Sequence, residues 1–127
     1  MKPSVRHNDC DAPGAERHWP ENCWIIELSN TPDDPDASIA RVRVAPRSTT
    51  RWHRLVGTAE RYAILEGTGR VEVGGLAPQG VGVGDVVLIP PSCPQRITNQ
   101  STMSSWLTMF IGVQMGVPIM SHPPPTT

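Results

Sequence analysis

The stretch from residue 50 to residue 73, TRWHRLVGTAERYAILEGTGRVEV, restricts this chain more than any other. From Glu60 onward it alternates. Glu60, Tyr62 and Ile64 share one face and Arg61 and Ala63 the other, which is the period of a strand and not of a helix. Gly67 and Gly69 interrupt the pattern, and Arg70, Val71, Glu72 and Val73 resume it. Upstream, Val56-Gly57-Thr58 is a turn that returns the chain from residues 50–55. The stretch reads as three short antiparallel strands. In that arrangement His53 and Glu60 come from neighbouring strands and point into one cavity. An imidazole and a carboxylate brought together inside β-structure are costly unless paired, protonated or bound to a metal.

The rest of the chain follows the same plan. Residues 23–28 form a first strand. A loop rich in turn formers follows, with Asn30, Pro32, Asp33, Asp34 and Pro35. Residues 39–45 alternate, with Ala40, Val42 and Val44 toward a core and Arg41 and Arg43 expected at solvent. Gly74-Gly75 signals a hairpin turn. Val86, Val87, Leu88 and Ile89 read as a buried strand that stops at Pro90-Pro91. Gln95, Ile97 and Asn99 fall on one face of the next strand, and residues 106–113 form an apolar closing strand. The 14 prolines and 11 glycines in 127 residues fit many short strands joined by turns and disfavour a helical bundle. The expected organisation is an irregular arm over residues 1–20, one β-domain over 21–114 and a proline-rich tail over 115–127.

Composition removes several functions. The net charge is −1 and no basic block is present, which excludes nucleic acid as a main partner. No apolar run approaches the roughly 20 residues that span a bilayer. The polar N-terminus lacks a signal-peptide core, so a cytoplasmic location is expected. Cys10, Cys23 and Cys93 match no zinc-binding spacing, and their odd number in such a compartment implies free thiols. Cys93 lies two residues before Gln95, either facing the cavity with it or filling a turn.

Two motifs in this chain resemble those of the cupin superfamily of small β-barrels. The first family motif is a glycine, five residues, His-x-His, three or four residues, a glutamate, six residues and a glycine; His53, Glu60 and Gly67 occupy its places with matching gaps. Leu55 stands where the second histidine belongs, and Arg47 where the leading glycine belongs. The second motif is matched by Gly84, Pro90 and Asn99, with Ser92 in place of its second glycine and Gln95 in place of its histidine. Sixteen residues (68–83) separate the two motifs, and the resemblance extends over residues 38–113. It implies an all-β, single-domain, cupin-like double-stranded β-helix, or jelly-roll barrel. It also implies a homodimer assembled through N-terminal strands, with Glu16, Arg17, His18 and Trp19 folded over the neighbouring subunit.

Closure of such strands leaves a cavity for one small ligand or substrate, lined by Arg51, His53, Leu55, Glu60, Tyr62, Gln95 and Ile97. Three readings of that site stand side by side. By the resemblance, His53, Glu60 and Gln95 hold a divalent metal (Mn, Fe, Ni or Zn) that assists an oxygenase, isomerase or lyase step on a small oxygenated or carboxylated compound. Alternatively His53 and Glu60 are a metal-free acid/base pair. In that reading Glu60 fixes the imidazole tautomer, His53 moves a proton, and Arg51 offers a positive charge. The third reading is a satisfied polar cluster, with Tyr62 and Gln95 as partners, in a non-catalytic ligand-binding or sensor protein.

Overall fold

The computed structural model describes residues 1–19 and 22–115. The tail expected over 115–127 therefore lies outside the described residues, apart from Met115, which ends the last strand. The described residues contain ten strands and no helix: β1 Arg17–Trp19, β2 Cys23–Ser29, β3 Ala37–Val44, β4 Ser48–Thr49, β5 Thr58–Glu66, β6 Gly69–Val73, β7 Gln79–Val81, β8 Val86–Ile89, β9 Gln95–Asn99 and β10 Leu107–Met115. They form two sheets, one in the order β1-β2-β3-β10-β5-β8 and the other β4-β9-β6-β7. Every named pairing is antiparallel.

Period-two patterning decides which side chains face the space between the sheets. On the large sheet Val42, Val44, Tyr62, Ile64, Leu107 and Met109 turn inward and are almost fully buried. On the small sheet Val71, Val73 and Ile97 do the same, and one cluster joins the two faces. The apolar closing strand expected from residues 106–113 is β10. It lies at the centre of the large sheet, inserted between β3 and β5.

Three expectations are corrected. Strand β8 is not buried on both faces: Val87 and Ile89 face the core, whereas Val86 and Leu88 are exposed on the outside of a sheet edge. Arg41 and Arg43 are not free at solvent. Glu16 receives Arg43 in a two-pronged pair, with Nε to Oε2 at 2.7 Å, and lies 3.6 Å from Arg41. Trp106 lies 4.5 Å beneath the Arg43 guanidinium. That pair holds the Glu16 carboxyl below its usual value. It also anchors the arm, in which β1 pairs with β2. Finally, residues 50–55 form no strand: they keep a single bridge, His53 to Gln95, and the short strand β4 lies just before them at Ser48–Thr49.

The motif glycines and their replacements share one backbone property. Gly67 has φ +79° and packs so closely that a Cβ would lie 2.5 Å from the Trp106 carbonyl oxygen. Arg47 and Ser92, which stand where the family has glycine, keep positive φ at 58° and 63°. Asn99 closes the loop between β9 and β10. Its Nδ2 donates to Val44 O at 3.0 Å and Ser105 O at 2.9 Å, and its Oδ1 accepts from Ser101 N at 3.0 Å. Asn99→Ala leaves buried backbone groups without partners and is expected to cost about 2 kcal/mol in denaturant unfolding. A loss of a few tenths would mean that the loop is held by something else.

Candidate functional site

Strand β5 carries Glu60 into the barrel, beside Val113 of β10 and Ile89 of β8. His53 arrives from the connector between β4 and β5. Its backbone bonds Gln95 in both directions, His53 N to Gln95 O at 3.1 Å and Gln95 N to His53 O at 2.8 Å. This double bond sets the two side chains next to each other. It also preserves the expected parity: Arg51 and His53 line the cavity, while Trp52 is exposed on the outside beneath Arg96.

The hydrogen bonds fix the protonation pattern. His53 Nδ1 donates to Arg51 O at 2.7 Å, because a carbonyl can only accept. The neutral imidazole therefore has its lone pair on Nε2. That nitrogen lies 2.8 Å from Gln95 Nε2, and the same amide donates to Glu60 Oε1 at 3.2 Å. One NH₂ group thus bridges imidazole and carboxylate. The opposite amide orientation would set the Gln95 oxygen against two acceptors. The bridging orientation leaves Gln95 Oε1 buried without a partner among the described residues, in a residue with 0% exposure. Glu60 is itself only 5% exposed. Burial pushes its carboxyl above the ordinary value, and the attraction of His53 and the Gln95 hydrogen bond offset this only in part.

The cavity in front of this cluster measures about 320 Å³. Arg51, His53, Glu60, Tyr62 and Ile97 line it as the sequence leads one to expect. Gln95 and Leu55 do not. Gln95 is sealed behind the wall, and Leu55 sits in the turn where its carbonyl accepts from Thr58 N and Ser92 N. Cys93 is also outside the cavity; its sulfur packs near Gly74. The cavity thiol is instead Cys23, and no disulfide joins Cys10, Cys23 and Cys93. Cys23 was readable in principle, since it shares strand parity with Ile25. Trp19, which also lines the cavity, gave no periodic signal in an arm with three residues of strand.

Cupin barrels commonly hold a metal at these positions, and the side chains present do not fit one. The imidazole lone pair and a carboxylate oxygen are both engaged by an N–H donor, which repels a cation. The amide oxygen, the atom that would ligate, is turned away. At the remaining family position Leu55 has no donor atom. Among the described residues no group of three or more His, Cys, Asp or Glu side chains is placed to hold a metal ion. No described helix is long and apolar enough to cross a membrane.

No protein-family model matches the sequence, and no curated protein matches it. Solved structures do resemble the fold. A cupin 2 conserved barrel domain protein from Salinispora arenicola superposes with a TM-score of 0.71 at 18% identity, covering 88% of this chain and 90% of that one. A predicted oxalate decarboxylase from Thermotoga maritima gives 0.66 at 22% identity over 74% of this chain and 81% of its own. KdgF from Halomonas sp. gives 0.65 at 13% identity over 79% and 88%. The identities are low, the superpositions extend over most of each chain, and the two sheets here close around a core of alternating inward residues. The chain has the cupin fold, an all-β jelly-roll barrel.

Proposed function

We propose that this protein binds a small organic molecule in its barrel and moves a proton on it through Glu60, without a metal, as an isomerase- or lyase-type enzyme. The observation that carries this reading is the Gln95 amide. By donating to both His53 Nε2 and Glu60 Oε1 it engages their lone pairs in a hydrogen-bonded cluster. It also reassigns the roles of an acid/base pair. Both ring nitrogens of His53 are engaged, so the imidazole positions and does not react. Glu60 lines the cavity, and among the described residues its side-chain bond is made at Oε1 alone, leaving Oε2 for a substrate.

A carboxylate raised above its ordinary pKa by burial is a better base than one in water. Glu60 takes a proton from a carbon next to a carbonyl. The C–H electron pair becomes a C=C bond, and the carbonyl electron pair moves onto oxygen. Where the substrate carries a C=C bond one carbon further along, return of the proton from Glu60 to its far (γ) carbon re-forms the carbonyl and moves the double bond into conjugation with it, which completes an isomerisation. Tyr62 and Arg51 line the same cavity wall.

Elemental analysis of protein purified without a metal column, followed by calorimetric titration with Mn²⁺, Ni²⁺ and Zn²⁺, tests the metal-free part. The expected result is no stoichiometric ion and no saturable heat. A stoichiometric ion that disappears in His53→Ala and Glu60→Ala would overturn it in favour of metal-assisted chemistry. The reading includes a homodimer, supported by exposed Ile39, Val86, Leu88 and Phe110, which the strand register places on one outer face of the large sheet. Sedimentation velocity reads that directly.

A further inference from the structure

The polarity of the barrel cavity is segregated by strand. The connector and β5 bring the polar side, His53, Arg51, Glu60 and Tyr62. Strands β2, β3 and β10 bring the opposite side as a continuous apolar floor. The register shows why it is continuous: Ile25 pairs with Val42 and Val42 with Met109, while Ala40 pairs with Ile111. Each of these side chains lines the cavity. The exceptions on that side are Cys23, the exposed Glu27 and Ser38. Trp19 contributes an aromatic face from β1.

Resting on the reading of this cavity as the ligand site, we infer that its ligand is a small molecule with an apolar body and one oxygen-bearing head group. The head, a hydroxyl or an enolisable carbonyl, lies at Glu60, and the body lies along the floor of β2, β3 and β10. A cavity of about 320 Å³ equals the liquid share of about ten water molecules, which suits a single ring with a short substituent. A sugar or other polyol is the wrong shape chemically. Each hydroxyl laid against Ile25, Val42, Met109 or Ile111 gives up its water without a new partner, which costs binding energy. A small dicarboxylate is disfavoured too, since it offers no apolar surface to the floor and brings negative charge to Glu60. An apolar body, by contrast, gains by burying its surface there.

The test uses 4-methylphenol and cyclohexanone as amphipathic probes, with glucose and oxalate as the contrasting chemistries. Calorimetry gives affinities, and methyl-resolved NMR of the wild-type chain gives location. The expected result is that at least one amphipathic probe binds about tenfold or more tightly than glucose and oxalate, a difference of about 1.4 kcal/mol. It should shift the methyl signals of Val42, Met109 and Ile111. The Ala40→Leu variant, which fills the floor, should weaken that probe and keep the wild-type circular dichroism. Tighter binding of glucose or oxalate overturns the inference, as does failure of all four to bind or methyl shifts confined to the outer face. The proton-transfer reading fails separately. Amphipathic binding at these methyls in a protein that carries a stoichiometric metal defeats that reading and leaves the ligand class standing.

Discussion

Gln95→Ala is expected to lower the unfolding free energy by roughly 3–4 kcal/mol, the range for truncating a large buried side chain and stripping a buried charge of its hydrogen bond. Three losses add. The amide is fully buried, so its removal leaves a void between the sheets. Glu60 Oε1 loses its N–H donor at 3.2 Å in a site with little water. His53 Nε2 loses its donor at 2.8 Å. Urea unfolding of wild type and variant measures the difference. A change below about 1 kcal/mol, the ordinary effect of a point substitution, would show that the three side chains do not act as one unit. The backbone pairing of residues 53 and 95 does not depend on the side chain. The loss should therefore appear without a change of fold.

Glu60→Gln is expected to stabilise the protein at neutral pH and to remove its proton chemistry. The sign follows from linkage. The folded-state pKa of Glu60 is raised above 4.5, so the protonated form favours the folded state below that value. That advantage disappears as pH rises through the folded pKa, where a buried carboxylate must be held. Glutamine keeps an acceptor for the Gln95 amide and never ionises. The variant and wild type should melt at similar temperatures near pH 4, and the variant should melt several degrees higher at pH 8. Glu16 works in the opposite direction. Its carboxyl is held low by Arg43, so its contribution is present above the ordinary carboxylate range and fades as pH falls through its depressed value. It is common to both proteins and cancels in the comparison. A variant less stable than wild type at pH 8 would mean that the Glu60 charge is matched by a cation.

Period two was the legible part of this molecule. Val42 and Val44 inward, Gln95, Ile97 and Asn99 on one face, and β10 as an apolar closing strand all follow from alternation alone, because a strand shows its two environments residue by residue. The convergence of His53, Glu60 and Gln95 was legible through motif spacing. The donor direction of Gln95 was not. It depends on which protonation state each neighbour takes, and sequence records no protons. Arg41 and Arg43 were misplaced because their partner, Glu16, lies in an arm without periodicity. Val86 and Leu88 read as buried because an apolar run does not say whether its strand is central or at an edge. Ser92 and Arg47 departed from the motif in chemistry while keeping its positive φ. Side-chain identity concealed a backbone that stayed the same.

The most direct measurement is a pH titration of the side-chain carboxyl carbons by ¹³C NMR, with the Glu60→Gln spectrum identifying the Glu60 signal. Desolvation without a neutralising cation should place its midpoint above 4.5, against its ordinary position for a carboxyl in water. A metal ligand would stay ionised to lower pH, since protons and cations compete for the same oxygen. A midpoint at or below 4.5 would therefore contradict a metal-free, proton-carrying Glu60.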